Sequence, residues 1–179
     1  MNTATLVLLV IVGLVVLLLL IALFMTKRHY VKRDIIINAP QQKVFNYIKL
    51  IQNQESFNKD AKADPGRKKE FRGTDGMVGY VYAWEGNKDA GEGEKEIMHI
   101  VDGKSIEMEI RFVKPMHAVA RIIMDTEALP GGQTKLSWSN SGNLFYPLNI
   151  LIPVLQRSVA KGMDSSLETL KSILEKEHG

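Results

Sequence analysis

Residues 155–175 read LQRSVAKGMDSSLETLKSILE. Leu155, Val159, Met163, Leu167, Leu170 and Leu174 recur at helical spacing, while Arg157, Lys161, Asp164, Glu168, Lys171 and Glu175 occupy the remaining positions. That pattern predicts one amphipathic helix with a single apolar stripe. The helix is about 25 residues long, or roughly 35 Å at 1.5 Å per residue, enough to cross a whole small sheet. Pro153 stands near its start, or kinks it if the helix begins earlier at Leu148.

A stripe of that length needs a broad apolar surface to cover, and residues 67–141 supply one. Runs at 67–73, 77–85, 92–101, 105–113, 117–129 and 133–141 alternate with turn signals. The turns are Thr74-Asp75-Gly76, Gly86-Asn87-Lys88-Asp89, Asp102-Gly103, Lys114-Pro115 and Pro130-Gly131-Gly132. Consecutive strands joined by short turns predict an antiparallel meander. Upstream, VKRDIIIN at 31–38 is rich in β-branched residues and reads as a first strand. Pro40 then suits a helix start, and Val44, Tyr47, Ile48 and Ile51 at helical spacing predict a helix over residues 40–53. A second short helical turn is expected around 54–59, and a loop over 61–66. Strand, helix pair, about six strands and one long helix make an α+β domain in which an antiparallel sheet wraps the long C-terminal helix.

Residues 4–25, ATLVLLVIVGLVVLLLLIALFM, contain no charge and no proline. A bilayer-spanning helix needs roughly 20 such residues, and a soluble core helix of that length would keep a polar face. A cleaved signal peptide would have a basic residue ahead of a shorter apolar run and a small-x-small site before Lys27, none of which is present. The expectation is one transmembrane helix. Basic residues stay on the cytoplasmic side of such a helix. Lys27, Arg28, Lys32 and Arg33 all follow it, so the remainder is expected to face the cytoplasm from the inner membrane. The chain thus divides into an anchor with a basic collar, residues 1–29, and one domain, residues 30–179.

Charge supports that division. The formal net charge is +3, and Lys27, Arg28, Lys32 and Arg33 against Asp34 carry all of it. From Ile35 onward the chain is neutral, so the basic character belongs at the membrane edge and a nucleic-acid surface is not supported. The absence of cysteine excludes disulfides, thiol nucleophiles and Cys-ligated metals.

The element order resembles the helix-grip fold of the START and Bet v 1-like superfamily, and the wording of the chain carries the likeness further. Ile35-Ile36-Ile37-Asn38-Ala39-Pro40 with Val44-Phe45, Gly79 to Asn87 as GYVYAWEGN, Gly91-Glu92-Gly93-Glu94, Phe112-Val113-Lys114-Pro115 and Leu136-Ser137-Trp138 are similar to bacterial polyketide cyclase/dehydrase-type SRPBCC proteins. The likeness spans roughly residues 30–176. It departs at Glu55-Ser56-Phe57-Asn58-Lys59-Asp60, where such proteins often have a Pro-Trp pair, and at Lys95, where they tend to have an apolar residue.

Alternate side chains of a strand share a face. Tyr80, Tyr82 and Trp84 therefore point together, as do Ile106, Met108, Ile110 and Phe112; Ala118, Ala120, Ile122 and Met124; and Leu136 and Trp138. Either these faces make a filled core against the long helix, or they line an apolar cavity with a few polar groups, the form a ligand pocket takes. On the cavity reading the lining is Tyr80, Tyr82, Trp84, Lys95, Met108, Ile110, Phe112, Ile122, Met124 and Trp138, with Gly162 on the helix. Gly162 costs up to about 1 kcal/mol against Ala, which a close backbone approach, room for a ligand or simple surface tolerance would explain. Lys95 shares a face with Gly93 and Ile97 and is expected to reach solvent along its apolar stem; turned inward, it would engage Tyr80, Tyr82 or Trp84, or hold an acidic headgroup. Glu92, Glu94 and Glu96 read as a solvated face.

His29 falls in the collar, His117 at a strand start, His178 at the terminus, and only His99 inside a strand. Four scattered histidines without cysteine supply no metal site, and no phosphate loop, nucleophile elbow or paired-carboxylate signature is present. No catalytic residue, cofactor or protein partner is named by the sequence. The expectation is a membrane-anchored protein that binds a hydrophobic small molecule or lipid. The alternatives are a polyketide cyclase-like enzyme using Lys95, Tyr80 or Tyr82, and a partner-binding module with a filled interior.

Overall fold

The computed structural model describes residues 2–88 and 91–176. Helix α1 (Thr3–Phe24) leads into β1 (Arg28–Ile37), followed by three short helices, α2 (Gln41–Ile48), α3 (Ile51–Phe57) and α4 (Lys59–Ala63). Then come β2 (Lys68–Arg72), β3 (Val81–Glu85), β4 (Glu92–Val101), β5 (Ser105–Lys114), β6 (Ala118–Leu129) and β7 (Gln133–Asn143). A 3₁₀ turn (Leu148–Leu151) opens into α5 (Ile152–Lys176).

The strands form one seven-stranded antiparallel sheet in the order β1-β7-β6-β5-β4-β3-β2. Every neighbouring pair is consecutive in the chain except β1, which lies beside β7 with Arg28 opposite Asn143 and Ile37 opposite Thr134. The helix-grip architecture expected from the sequence is present: α5 packs along β1 and against α3 and α4. Its direction is fixed at both ends. Gln156 Nε2 donates to the Tyr30 carbonyl, and the Asn38 N–H donates to Glu175, so α5 starts at the end of the sheet where α1 joins.

The apolar stripe of α5 is buried from Met163 onward where the periodicity placed it, while Leu155 and Val159 are half-buried. Met163, Leu167, Leu170 and Leu174 meet Ile37, Met108, Met124, Leu136 and Trp138 of the sheet and Phe57 of α3 in one continuous core. Fully burying a Leu, Ile, Phe or Met side chain is worth about 1.5–3 kcal/mol, so this contact dominates the stability of the domain. Pro153 sits in the first turn of α5, where its missing N–H costs nothing.

Several boundaries differ from the sequence reading, and β1 begins at Arg28, inside the expected collar, instead of at Val31. The single helix expected over 40–53 is two, broken at Lys49 and Leu50. The Asp75 carboxylate, 24 residues downstream of Ile51, accepts the Ile51 and Gln52 N–H groups at 2.8 and 3.0 Å and so starts a new helix. The expected loop over 61–66 is partly helical, because Ser166 Oγ accepts the Lys59 N–H at 3.0 Å and caps α4. The strand expected from Met77 begins at Val81, because a turn closed by Met77 N–H to Thr74 O occupies the preceding residues. Tyr80 still bonds to β4 through the Ile97 N–H. Of the expected turn at residues 86–89, Asp89 lies outside the described residues, as does His178.

Candidate functional site

The register of β3, β4 and β5 builds two cross-strand rows on the inner face. Tyr82 is opposite Lys95, which is opposite Ile110; Trp84 is opposite Gly93, which is opposite Phe112. Gly93 is required in the second row. A Cβ there would lie 3.0 Å from the Trp84 ring and 2.6 Å from the Arg111 carbonyl oxygen, so only glycine lets the indole lie across β4. Trp84 then meets Phe112 edge to face at 6.0 Å and stacks beside Tyr82 at 5.8 Å.

Between these rows and helices α3 and α4 lies a cleft of about 260 Å³, lined by Tyr82, Trp84, Lys95, Ile110 and Phe112 with Gln54, Glu55 and Arg67. Lys95 is 6 % exposed and its ammonium donates to Gln54 Oε1 at 3.0 Å. Gln54 is itself buried and fixed, its amide nitrogen donating to the Ile48 carbonyl at 2.9 Å. The Arg67 guanidinium lies over the Tyr82 and Trp84 rings at 5.5 and 5.7 Å and pairs with Glu55, which Lys69 also holds at 2.6 Å. Cation–π contacts of this kind strengthen as the pair is desolvated, and the Arg67 side chain is 6 % exposed.

Burial pushes the Glu55 carboxyl up, but the hydrogen bond from Lys69, the neighbouring Tyr82 phenol and the charges of Arg67 and Lys69 outweigh it and hold the group below the usual carboxylate range. Burial, then the Glu55 charge, pushes the Tyr82 phenol well above its usual range, so it stays protonated. On the outer face, Glu92, Glu94 and Glu96 are not simply solvated. Arg111 donates to Glu96, Glu109 and Glu94 at 2.5, 2.8 and 2.8 Å, and Lys114 pairs with Glu92 at 2.6 Å. These bonds hold the Arg111 guanidinium above its already high range.

The sequence-predicted lining thus divides. Tyr82, Trp84, Lys95, Ile110 and Phe112 converge on the cleft. Tyr80, Met108, Ile122, Met124 and Trp138 are buried in the continuous core, and the Tyr80 hydroxyl accepts from Gln52 at 3.1 Å. The space directly between sheet and α5 is filled by these side chains, so the described cleft lies beside it, under α3 and α4. Gly162 is no point of close approach: a Cβ there would meet nothing within 4 Å apart from its own helix. Lys95 corrects the expectation of a solvent-facing ammonium, because β4 turns it inward and Gln54 waits there to accept. His29, assigned to the collar, is buried in β1 and hydrogen-bonds Asn140 at 3.0 Å. Among the described residues no three His, Asp or Glu side chains are grouped to hold a metal ion.

Sequence reasoning missed Gln54, Glu55 and Arg67. The first two lie on α3, in the stretch read only as a short helical turn with no apolar face to orient it; Arg67 immediately precedes a strand whose polar pattern reads as solvated. The available signal was the pairing of one basic residue with an aromatic alternation in the facing strand.

A second and larger space, an open basin of about 1260 Å³, lies at the end of the sheet where β1 begins. The ends of β2 to β6 and the segment from Asn143 to Leu148 line it, and Trp84 and Phe112 line both it and the inner cleft.

No family model matches the chain, and no curated protein matches it. Solved structures do. Protein MLL2253 from Mesorhizobium loti superposes with a TM-score of 0.62 at 16% identity, covering 83% of this chain and 98% of that one. Ara h 8.0201 gives 0.57 at 15% identity, covering 83% and 99%. DynU16, from the dynemicin biosynthetic locus, gives 0.56 at 12% identity, covering 82% and 47%. At these identities the likeness is one of fold, and the fold of this chain is theirs.

Proposed function

We propose that this chain is a membrane-anchored binding protein for a hydrophobic small molecule or lipid that carries an anionic end, with that end seated on Lys95. The observation that carries the reading is the buried Lys95 ammonium in a cleft walled by Tyr82, Trp84, Ile110 and Phe112. At about 260 Å³ the cleft falls just short of the roughly 300 Å³ at which ligand pockets begin. It suits one end of a molecule whose remainder passes Trp84 and Phe112 into the open basin. Neighbours that include Bet v 1-like and cyclase-type proteins are consistent with a ligand-binding role.

Helix α1 supports the anchor. It spans 22 residues, about 33 Å at 1.5 Å per residue against a hydrocarbon core of about 30 Å, and Ala22 is its one buried residue. With Lys27 and Arg28 after it, the domain faces the cytoplasm from the inner membrane.

The test is a titration of the full chain in nanodiscs with cis-parinaric acid and with the corresponding alcohol. The acid binds and Lys95→Met weakens it by about ten- to a hundredfold, the value of a charged hydrogen bond of about 1.5–3 kcal/mol, while the alcohol is unaffected and the melting temperature holds. Equal binding of acid and alcohol, or of wild type and variant, overturns the reading. A protein that binds neither shifts weight to the filled-core partner-binding module. One observation favours a cyclase-like enzyme: the Tyr82 phenol, buried in the cleft and without a hydrogen-bond partner, is placed to donate a hydrogen bond to a substrate oxygen. That reading requires a turnover that Tyr82→Phe abolishes with ligand affinity retained.

A further inference from the structure

We infer that the end of the sheet nearest α1 is a membrane-contacting face, in which Phe145, Leu148, Leu151 and Val154 enter the headgroup layer and set the open basin against the bilayer. The inference rests on the anchored reading of α1 and adds to it a fixed orientation of the domain.

The first argument is reach. Only residues 25–27 separate α1 from β1, so Arg28 lies no more than about 14 Å from Phe24 even if the linker were fully extended. The headgroup layer on each side of the hydrocarbon core is itself about 5–8 Å thick. The domain therefore starts inside or just above that layer.

The second is attachment. Asn149 is fully buried, and its side-chain amide donates to the carbonyls of Ala22 at 2.6 Å and Met25 at 3.1 Å. Those are orphan carbonyls of the last turn of α1, which a helix leaves without intrahelical partners. Ala22 is 1 % exposed, and α1 packs on the 3₁₀ turn that carries Asn149. The helix end is thus bonded to the domain as well as joined to it by the chain.

The third is what surrounds that attachment. β7 ends here, opposite Arg28, and α5 starts here, with Gln156 on Tyr30. The segment between them and the first turn of α5 expose apolar side chains: Phe145 is 70 % exposed, Val154 65 % and Leu151 50 %, with Leu148 beside them. A cluster of exposed apolar groups marks a contact surface, and Lys27, Arg28 and Arg157, all exposed there, complement an anionic lipid surface. The bilayer is the occupant because α1 delivers it to this end and no other.

The chain lacks cysteine, so single cysteines report cleanly. Phe145→Cys, Leu151→Cys and, at the far end of the sheet, Asp102→Cys are each labelled with the fluorophore NBD. The full-length chain is reconstituted in phosphatidylcholine and phosphatidylglycerol vesicles, with and without lipids brominated on the acyl chain. The labels at 145 and 151 lose most of their emission to the brominated lipid and shift to the blue; the label at 102 does neither. Val154→Cys provides another position should Phe145→Cys misfold. Labels at 145, 151 and 154 that stay as bright as the one at 102, on chain that still floats with the vesicles, overturn the docked face and leave the anchor standing. A chain that fails to float overturns both.

Discussion

At the scale of single residues, the cleft is a set of charges placed where burial makes them expensive. Glu55 is the clearest case, because its carboxyl is held low by Lys69 and Arg67. A carboxyl depressed in the folded state adds stability above its unfolded value, and that stability is lost as the pH falls through the folded one. Glu55→Gln is therefore less stable than wild type at pH 7, and the gap narrows as the pH drops below the ordinary carboxyl value of 4.5. Melting temperatures of both proteins between neutral pH and about pH 3 check this; a gap that stays constant would show that Glu55 contributes through shape alone. Residue identity was only half legible in the sequence here. Alternation put Lys95 on the face of Gly93 and Ile97, but the direction of that face follows from Gln54, which lies 41 residues earlier and reaches Lys95 only through the fold. Arg67 was hidden for the same reason: its partners, the Tyr82 and Trp84 rings, come from the next strand.

At the scale of elements, what the sequence disclosed was whatever depends on local periodicity. The stripe of α5, the alternation of β3 to β7 and the uninterrupted apolar run of α1 all read correctly because each is a property of neighbouring residues. The division between α2 and α3 did not, since its cause is a carboxylate from the β2–β3 connection. Asp75 is the N-terminal partner that α3 lacks in its own sequence, with Leu50 at the cap position making no side-chain bond. Replacing it by alanine removes a cap worth about 1 kcal/mol. The expected result for Asp75→Ala is a melting temperature lower by roughly 2–4 °C. Because α3 carries Gln54 and Glu55, anionic ligand affinity falls with it. An unchanged melting point in a calorimetric scan would mean that α3 is held by its packing on α5 and not by the cap.

At the scale of the whole molecule, the sheet is a meander with one exception, the placement of β1 against β7. Leu136 stands at that junction, fully buried, opposite Ile35 in β1 and Thr126 in β6. Leu136→Ala costs about 2–5 kcal/mol by the usual core values, and the loss is expected to be shared between the two neighbouring strands. Hydrogen exchange of the β1 amides therefore quickens more than that of β3, which lies four strands from β7; equal quickening in both would place the damage in the core as a whole. The same connectivity has a consequence in time. The ribosome makes β1 first among the strands and β7 last, so the run Ile35-Ile36-Ile37 waits for its partner in the sheet until nearly the entire domain has been synthesised. Local hairpins from β3 to β6 form in that interval, and the closing of β1 is a long-range step of the kind that folds slowly. On the anchored reading of α1 proposed above, the unpaired strand is tied during that wait to a helix held in the bilayer, which would keep nascent copies apart just when they are most prone to stick to one another.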